Sequence, residues 1–277
     1  MSTRKTSDPL LKAFLDAYKI NLLAIPRSEA RVGDAYVDTG KGVSPPGELR
    51  YLLTPQFEMP KLQHGEKLTN IATIRTRALE LKTGARLLQN FFSAIGLGAA
   101  IGGIKAEYEQ KGADSVRFGL KNPTRDSVDP FEFSQAIKNC RLDDSNPIVK
   151  SGNRYYVALG VVRSSSITVV AEDRDSKQVS VDADALQKTV TVEGKLAVRR
   201  DGLGELTYEG SESLAFGVEL MELFYDADAR KLRLDGLPEP IAGIRKTPGE
   251  KEAEIMKARR FIGDPVNGDV FLNILDR

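Results

Sequence analysis

Residues 87–104 read LLQNFFSAIGLGAAIGGI, a run without a charge and with glycines at 96, 98, 102 and 103. A segment of that length can meet lipid, so whether it spans a bilayer or folds in water decides the class of the whole chain. Glycine costs a helix about 1 kcal/mol per position relative to alanine, which argues against a spanning helix. The spacing gives a helix that breaks into a strand. Leu87, Leu88, Phe91, Phe92 and Ile95 recur at helical intervals, and the glycines then end the helix and open an extended Gly/Ala segment. That segment is expected to run as a strand through Ala99, Ile101, Ile104, Ala106, Tyr108 and Gln110, to turn at Lys111-Gly112-Ala113-Asp114, and to return through Val116, Phe118 and Leu120.

Toward the N-terminus, Ser7-Asp8-Pro9 supplies a helix cap with proline at the first helical position, and Leu10, Leu11, Phe14, Leu15 and Tyr18 form an apolar stripe. Residues 1–31 hold six basic and three acidic side chains. A helix carrying Lys5, Lys12, Phe14 and Lys19 therefore suits an acidic membrane surface; a solvated basic face is the alternative. Residues 20–25 read as a short buried strand stopped by Pro26, and 27–65, rich in Gly and Pro, as loop and edge structure with a strand at 50–53. Residues 71–81 alternate loosely and read as a strand before the uncharged helix.

Toward the C-terminus, Asp129-Pro130 repeats the cap-and-proline device and opens a short helix, 131–139, with Phe133 and Ile137 inward. From Tyr155 the chain is almost all strand. Residues 155–162 and 167–171 read as two core strands separated by three serines, and Ile167 and Val169 belong to the second. Two alternating segments follow. Val179, Val181, Ala183 and Ala185 face one way in the first, and Val190, Val192, Gly194, Leu196 and Val198 face one way in the second. Each arm extends to the roughly nine to eleven residues that a tilted membrane strand needs, but any half-solvated antiparallel sheet alternates in the same way. Further strands fall at 206–209 and 214–225. Beyond Pro240 the texture changes. Thr247-Pro248-Gly249-Glu250 is a capping box that opens a charged helix to about Ile262. The last seventeen residues carry a net charge of −2, so a weakly acidic tail could fold over a body that is +3 without it.

Composition excludes several functions. At 277 residues and 41% hydrophobic, the chain can bury a sizeable core. A net charge of +1, with no Lys/Arg stripe interleaved with aromatics, gives no electrostatic footprint for nucleic acid. A lone Cys140 excludes an internal disulfide and suits a reducing compartment, and the N-terminus lacks the apolar core of a secretory signal; both point to a cytoplasmic protein. The single histidine, His64, lies in a polar turn. With neither HExxH nor CxxC, no zinc site with the usual ligands is available, and no catalytic triad assembles around it. Residues 96–102 superficially imitate a dinucleotide loop, but they follow a helix rather than a strand. No catalytic residue, metal ligand or cofactor site is expected.

The order of these features resembles the bacterial gasdermins. The likeness rests on LLKAFLDAYKINLLAIPR, FFSAIGLGAAIGGIKAEYE, VRFGLKNPTRDSVDPFEF, YYVALGVVRSSSITVVAED and LTYEGSESLAFGVELMELFYD in succession, and covers most of residues 8–240. It implies an α+β fold, a twisted central antiparallel sheet with peripheral helices, closed off by a short C-terminal inhibitory segment. It also implies activation by a caspase-like or trypsin-like partner protease. The released protein then assembles with copies of itself and membrane lipids into a large β-barrel pore in the inner membrane, which kills the cell in defence against phage. On this chain the resemblance assigns residues 1–243 to the pore-forming part, 244–260 to a protease-sensitive linker and 261–277 to the inhibitory peptide, with Phe261, Ile262, Val266, Val270, Leu272 and Ile274 as its apolar residues. The inserting hairpins fall at about 99–125 and 167–199. Arg259-Arg260 is the favoured cleavage site and Arg245-Lys246 the second. One departure stands out: several family members carry a palmitoylated N-terminal cysteine, whereas this chain begins Met1-Ser2-Thr3-Arg4-Lys5 and offers no thiol there for a lipid. The rival reading is a non-lytic cytoplasmic β-rich binding or scaffold protein whose C-terminal helix completes its core.

Overall fold

The computed structural model describes residues 13–234, apart from 15–16, 19, 40–42, 70–73, 95–100, 151, 183–195, 203 and 227–230. Its spine is a pair of long antiparallel strands, β10 (Arg154–Glu172) and β12 (Glu205–Asp226). Both are rich in β-branched and aromatic residues, and β10 is buried on both faces along nearly its whole length. Three short strands flank each side of the pair. Along β10 lie β2 (Asp34–Asp38), β8 (Thr124–Ser127) and β7 (Ser115–Lys121), themselves backed by β3 (Val43–Glu48), β5 (Gln63–Lys67) and β6 (Leu79–Glu80). Along β12 lie β13 (Lys231–Leu234), β1 (Asn21–Arg27) and β11 (Leu196–Gly202). The described strands thus make an open eleven-stranded sheet, with β4 (Leu53–Thr54) and β9 (Arg141–Leu142) paired apart from it. The helices are peripheral: α1 (Leu81–Ala94), α2 (Ile101–Gln110) and α3 (Pro130–Ile137). The α+β class and the antiparallel sheet expected from the sequence are as found.

Several local expectations need correction. The three serines do not separate two strands. Ser164 Oγ lies 2.7 Å from both Lys121 O and Ser166 O and accepts the Ser166 N–H at 3.0 Å, so the hydroxyl satisfies backbone groups at a register shift and one strand passes through. The same holds for β12, a single strand where two were expected. Pro26 lies within β1 rather than ending it, inside a register shift between Leu22 and Arg27, where no ladder donor is required. The stretch 27–65 contributes the β2–β3 hairpin, and residues 50–52 form a 3-10 turn where a strand was expected. Residues 74–78 are coil before the two residues of β6. Helix α1 begins at Leu81, and α3 is capped by the Asp129 carboxylate, which accepts the N–H groups of Phe131 and Glu132 at 2.8 and 2.9 Å, as its sequence indicated.

The largest correction concerns residues 101–110, which are helical rather than extended. Ile104 and Tyr108 fit a period of two and a period of four equally well. The helical solution adds the i,i+4 pairs Lys105–Glu109 (3.4 Å) and Glu107–Lys111 (3.9 Å). A stop signal settles the matter: Gly112, at φ +80°, donates to Glu109 O at 3.0 Å while Ala113 donates to Tyr108 O at 3.0 Å, the double bond of a Schellman cap. Residues 179–182 are likewise coil rather than strand, entered from a turn in which the Asp173 carboxylate accepts the N–H groups of Asp175 and Lys177.

Two apolar cores share the spine. One gathers α1, α2, the N-terminal helical residues, β7 and the far half of β10; the other gathers β2, the 3-10 turn, α3 and the near half of β10. Val162 faces the first and Val161 the second.

Candidate functional site: an amphipathic sheet under a helical cover

Four strands at one end of the spine run in the order β7, β10, β12, β11, and their register sorts every side chain to one of two faces. Leu120, Ile167, Tyr208 and Val198 stand in one row across all four strands. Phe118, Val169 and Leu206 form the next row, and Val116 and Ala171 the third. All are buried in the first core except Val198, which packs against it. The opposite face carries Arg117 and Lys121 on β7, Thr168 and Glu172 on β10, Glu205, Thr207 and Glu209 on β12, and Arg199 and Asp201 on β11. One face is therefore apolar across β7, β10 and β12, with Arg200 of β11 at its edge beside Leu206, where the guanidinium donates to Val181 O at 2.9 Å; the other face is mainly polar, with Val170 buried among its charges.

The apolar face is covered by helices. Leu87, Leu88, Phe91 and Phe92 of α1 press on it, with Phe91 stacked on Phe216 at 5.8 Å and Phe92 edge-on to Tyr208 at 5.3 Å. Gly84 brings α1 down onto β7: a Cβ there would sit 2.1 Å from Val116 Cγ2. Ile104 and Tyr108 of α2 join the same cluster, as do Phe14 and Tyr18. Phe14, expected on a membrane-surface helix, is fully buried in the described fold; its spacing with Tyr18 made it core just as readily. Tyr18 donates to Ile74 O at 3.1 Å, and burial pushes its pKa up to about 12 against the opposing influence of a backbone hydrogen bond and Arg75.

Ion pairs and hydroxyl groups cover the polar face. Arg117 reaches Glu172 at 2.9 Å and Lys121 reaches Asp201 at 2.6 Å, where the Thr207 hydroxyl also donates. Burial alone would raise the Asp201 pKa, but these two partners, with Arg199 nearby, hold the carboxyl below the usual carboxylate range. Arg75 crosses the bare backbone of Gly119, where a Cβ would stand 2.6 Å from its Nη1, and pairs with Glu205 at 2.8 Å. This guanidinium straddles three strands.

Of the residues assigned to inserting strands, Ile104, Tyr108, Val116, Phe118, Leu120, Ile167, Val169 and Val181 are thus gathered in one core, with Val179 and Val198 against it. Ile104, Ala106 and Tyr108 come from a helix, and Ala106 is exposed on its outer side. Leu196 is on β11 and Ile101 opens α2. Ala99, Val190 and Val192 lie outside the described residues, as do Lys5, Lys12 and Lys19, the basic pairs Arg245-Lys246 and Arg259-Arg260, and the whole stretch 261–277 with the boundaries drawn at 243 and 260. Sequence reasoning left Tyr208, Thr207 and Asp201 out of the site. The alternation in Leu206-Thr207-Tyr208-Glu209 is the available signal, and by itself it indicates a core strand without saying which strands lie beside it. Among the described residues no group of three or more His, Cys, Asp or Glu side chains is placed to hold a metal ion. No described helix is long and apolar enough to cross a membrane, which leaves strands untouched.

Comparison with known proteins gives a consistent answer. Residues 21–231 match the model of the Bacterial Gasdermin Family. A gasdermin of Vitiosangium sp. is 30% identical over 222 residues, which cover 78% of this chain and 81% of that one. A gasdermin of Bradyrhizobium tropiciagri is 24% identical over 274 residues, 98% of each chain. The solved structure of a bacterial gasdermin from Bradyrhizobium tropiciagri superposes with a TM-score of 0.59 at 21% identity, over 84% of this chain and 93% of that one, and so shares the fold.

Proposed function

The chain belongs to the bacterial gasdermin family, pore-forming cell-death proteins rather than enzymes, and from that premise we propose that it is held silent by its C-terminal peptide and released by a partner protease. In this reading it rests in the cytoplasm, and the cut falls between residues 243 and 261, at Arg259-Arg260 first and Arg245-Lys246 second. The freed body moves to the inner membrane, where copies of it close into a β-barrel and open the cell during phage infection. The observation that supports this best is the amphipathic four-stranded sheet, whose apolar face is covered by helices instead of a second sheet.

The physical logic follows from that arrangement. If α1 and α2 lift away, the rows through Phe118, Val169 and Leu206 lose their apolar partners. In water that exposure costs on the order of 25 cal/mol per Å²; against lipid tails it costs nothing comparable. A bilayer also demands that every backbone N–H and C=O be paired, which an open sheet meets only by joining neighbours into a closed ring. Residues 101–110 then convert from helix to strand and lengthen the hairpin that ends in β7. The glycines at 102 and 103 weaken the helical state by about 1 kcal/mol each and so narrow the gap between the two conformations.

Dye-loaded vesicles of phosphatidylethanolamine and phosphatidylglycerol test the proposal. Full-length protein should leave them sealed, and protein cut within 243–261 should empty them. Intact vesicles with verified cut protein, across several lipid mixtures, would refute it; loss of folding on removal of residues 261–277 would favour a tail that merely completes the core.

A further inference from the structure

Helix α2 is attached to the body by very little. Of its described side chains only Ile104 and Tyr108 are buried, at 0% and 1% exposure, while Gly102, Gly103, Ala106, Glu109 and Gln110 face solvent. Two buried side chains and a Schellman cap are a slender hold for a helix with two glycines near its start. One of the two contacts is polar. Tyr108 Oη lies 3.1 Å from Tyr208 Oη, both rings are fully enclosed, and Tyr208 stands in the middle of the apolar row that Leu120, Ile167 and Val198 share. Phe92 of α1 closes the pocket edge-on against the Tyr208 ring. A buried hydroxyl is tolerated only when paired, and here each hydroxyl is paired with the other, while the half-buried Glu107 carboxylate of the same helix, its Oε1 enclosed, adds its charge beside Tyr208. Burial also raises both phenols above their ordinary range, so both stay neutral, one donating and one accepting.

We propose that the Tyr108–Tyr208 hydroxyl pair is the latch that holds α2 closed over the apolar face of the sheet, and that its opening is the step that frees residues 101–110 to become strand. The argument turns on reciprocity. As long as α2 is docked the two hydroxyls satisfy one another; once it lifts, both reach water at once. The undocked state therefore leaves no polar group stranded, and the hydrogen bond confers a definite geometry at little net strength. The contact is thus strong enough to fix the resting position and weak enough to release. The second half of the proposal rests on the pore-forming reading; the first does not.

The two halves separate in experiment. Tyr108→Phe leaves the Tyr208 hydroxyl buried and unpaired, Tyr208→Phe does the reverse, and the double variant removes both. In intact full-length protein, amide hydrogen exchange over 101–110 should speed up about tenfold in each single variant, the consequence of stranding one buried polar group. In the double variant it should return most of the way to wild type, because no polar group is left stranded. Exchange in β2 should stay unchanged in all three. Unchanged exchange over 101–110 in both single variants overturns the latch, and so does acceleration spread equally over α2 and β2, which marks general destabilisation. If one single variant fails to fold, the other still decides. The same proteins, cut within 243–261 and added to phosphatidylethanolamine/phosphatidylglycerol vesicles, should release dye after the shortest lag in the single variants, after a lag between these and wild type in the double variant, which has lost the bond but strands no polar group, and after the longest lag in wild type. An equal lag in all four overturns the role of the latch in release. Vesicles that stay sealed with every protein, including wild type, refute the pore-forming reading and with it the second half, while the exchange result still judges the first.

Discussion

At the scale of single residues, the contact that sets the distance between cover and sheet is a missing side chain. Gly84 lets α1 approach until its backbone meets Val116 Cγ2 and the ring of Phe118, where a Cβ would stand at 2.1 and 3.1 Å. Two effects of Gly84→Ala oppose one another. Alanine favours the helix by about 1 kcal/mol, whereas forcing a methyl into a filled core costs about 1–3 kcal/mol. Val116 is β-branched, fully buried and restricted to few rotamers, so it has little room to give way, and the clash should win. Gly84→Ala is therefore expected to lower the melting temperature by about 2–6 °C, at the few degrees per kcal/mol usual for a chain of this size. A calorimetric scan that shows a higher melting temperature than wild type would mean that α1 does not sit where the glycine places it. Gly119 is no roomier: a Cβ there would stand 2.5 Å from Oγ1 of the buried Thr168 and 2.6 Å from the Arg75 guanidinium that pairs with Glu205.

At the scale of elements, the decisive property is parity. Along β11 Val198 faces the first core and packs on it, and its neighbour Ala197 belongs to the opposite face, beside Glu209. A strand reverses its sides with every residue, so the two positions give a matched pair. A charge on the lipid side of a membrane strand costs about 2–4 kcal/mol near the bilayer centre for Lys or Arg and somewhat less for Asp, and on the water-filled side almost nothing. Val198→Asp should therefore suppress dye release by cut protein, and Ala197→Asp should preserve it. Equal leakage from both would show that β11 meets the bilayer with a different face or not at all. Parity also explains which parts of the fold were legible in the sequence. Val116, Phe118 and Leu120 alternate cleanly, admit only a strand, and are one. Ile104 and Tyr108 admit two periods, and the arbiter was the pairing of Gly112 and Ala113 with the last turn of the helix, a three-dimensional event in a tetrapeptide that sequence reads only as a turn. Val181 kept its buried side without a strand to hold it, for it sits in the first core on a coil. Asp129-Pro130 was legible because a cap is local. The membership of Tyr208 in the site was not, since it depends on register between strands separated by 41 positions, from Ile167 to Tyr208.

At the scale of the whole molecule, the two cores divide the labour. The first holds the apolar rows of β7, β10 and β12 against α1, which follows β6 directly, and α2, which is joined to β7 by four residues that include Gly112. The second encloses Tyr36, Phe133, Ile137 and Met221 between the near half of the spine, the β2–β3 hairpin and α3, and Phe57 packs edge-on to Phe133 at 5.6 Å. Its strands are tied by backbone ladders on both sides and by Arg163, which reaches Asp126 at 3.3 Å and donates to the carbonyls of Ser28 and Ala30. On the proposed mechanism, a sheet that exchanges helical partners for lipid while staying attached to its neighbours needs one end that yields and one that does not, and cooperative units within a fold open at different free energies. Hydrogen exchange on cut protein bound to vesicles should therefore show the amides of 81–94 losing protection and those of 115–121 gaining it, as β7 lengthens and pairs with a neighbouring copy. The amides of 34–38 and 130–137 should keep the protection they have in intact protein. Loss of protection at both ends would mean that the spine unfolds before it inserts, and the division into a yielding and a standing core would have to be abandoned. Retained protection throughout would mean that the helices never leave the sheet, so that any leakage would have to arise without exposing the apolar rows.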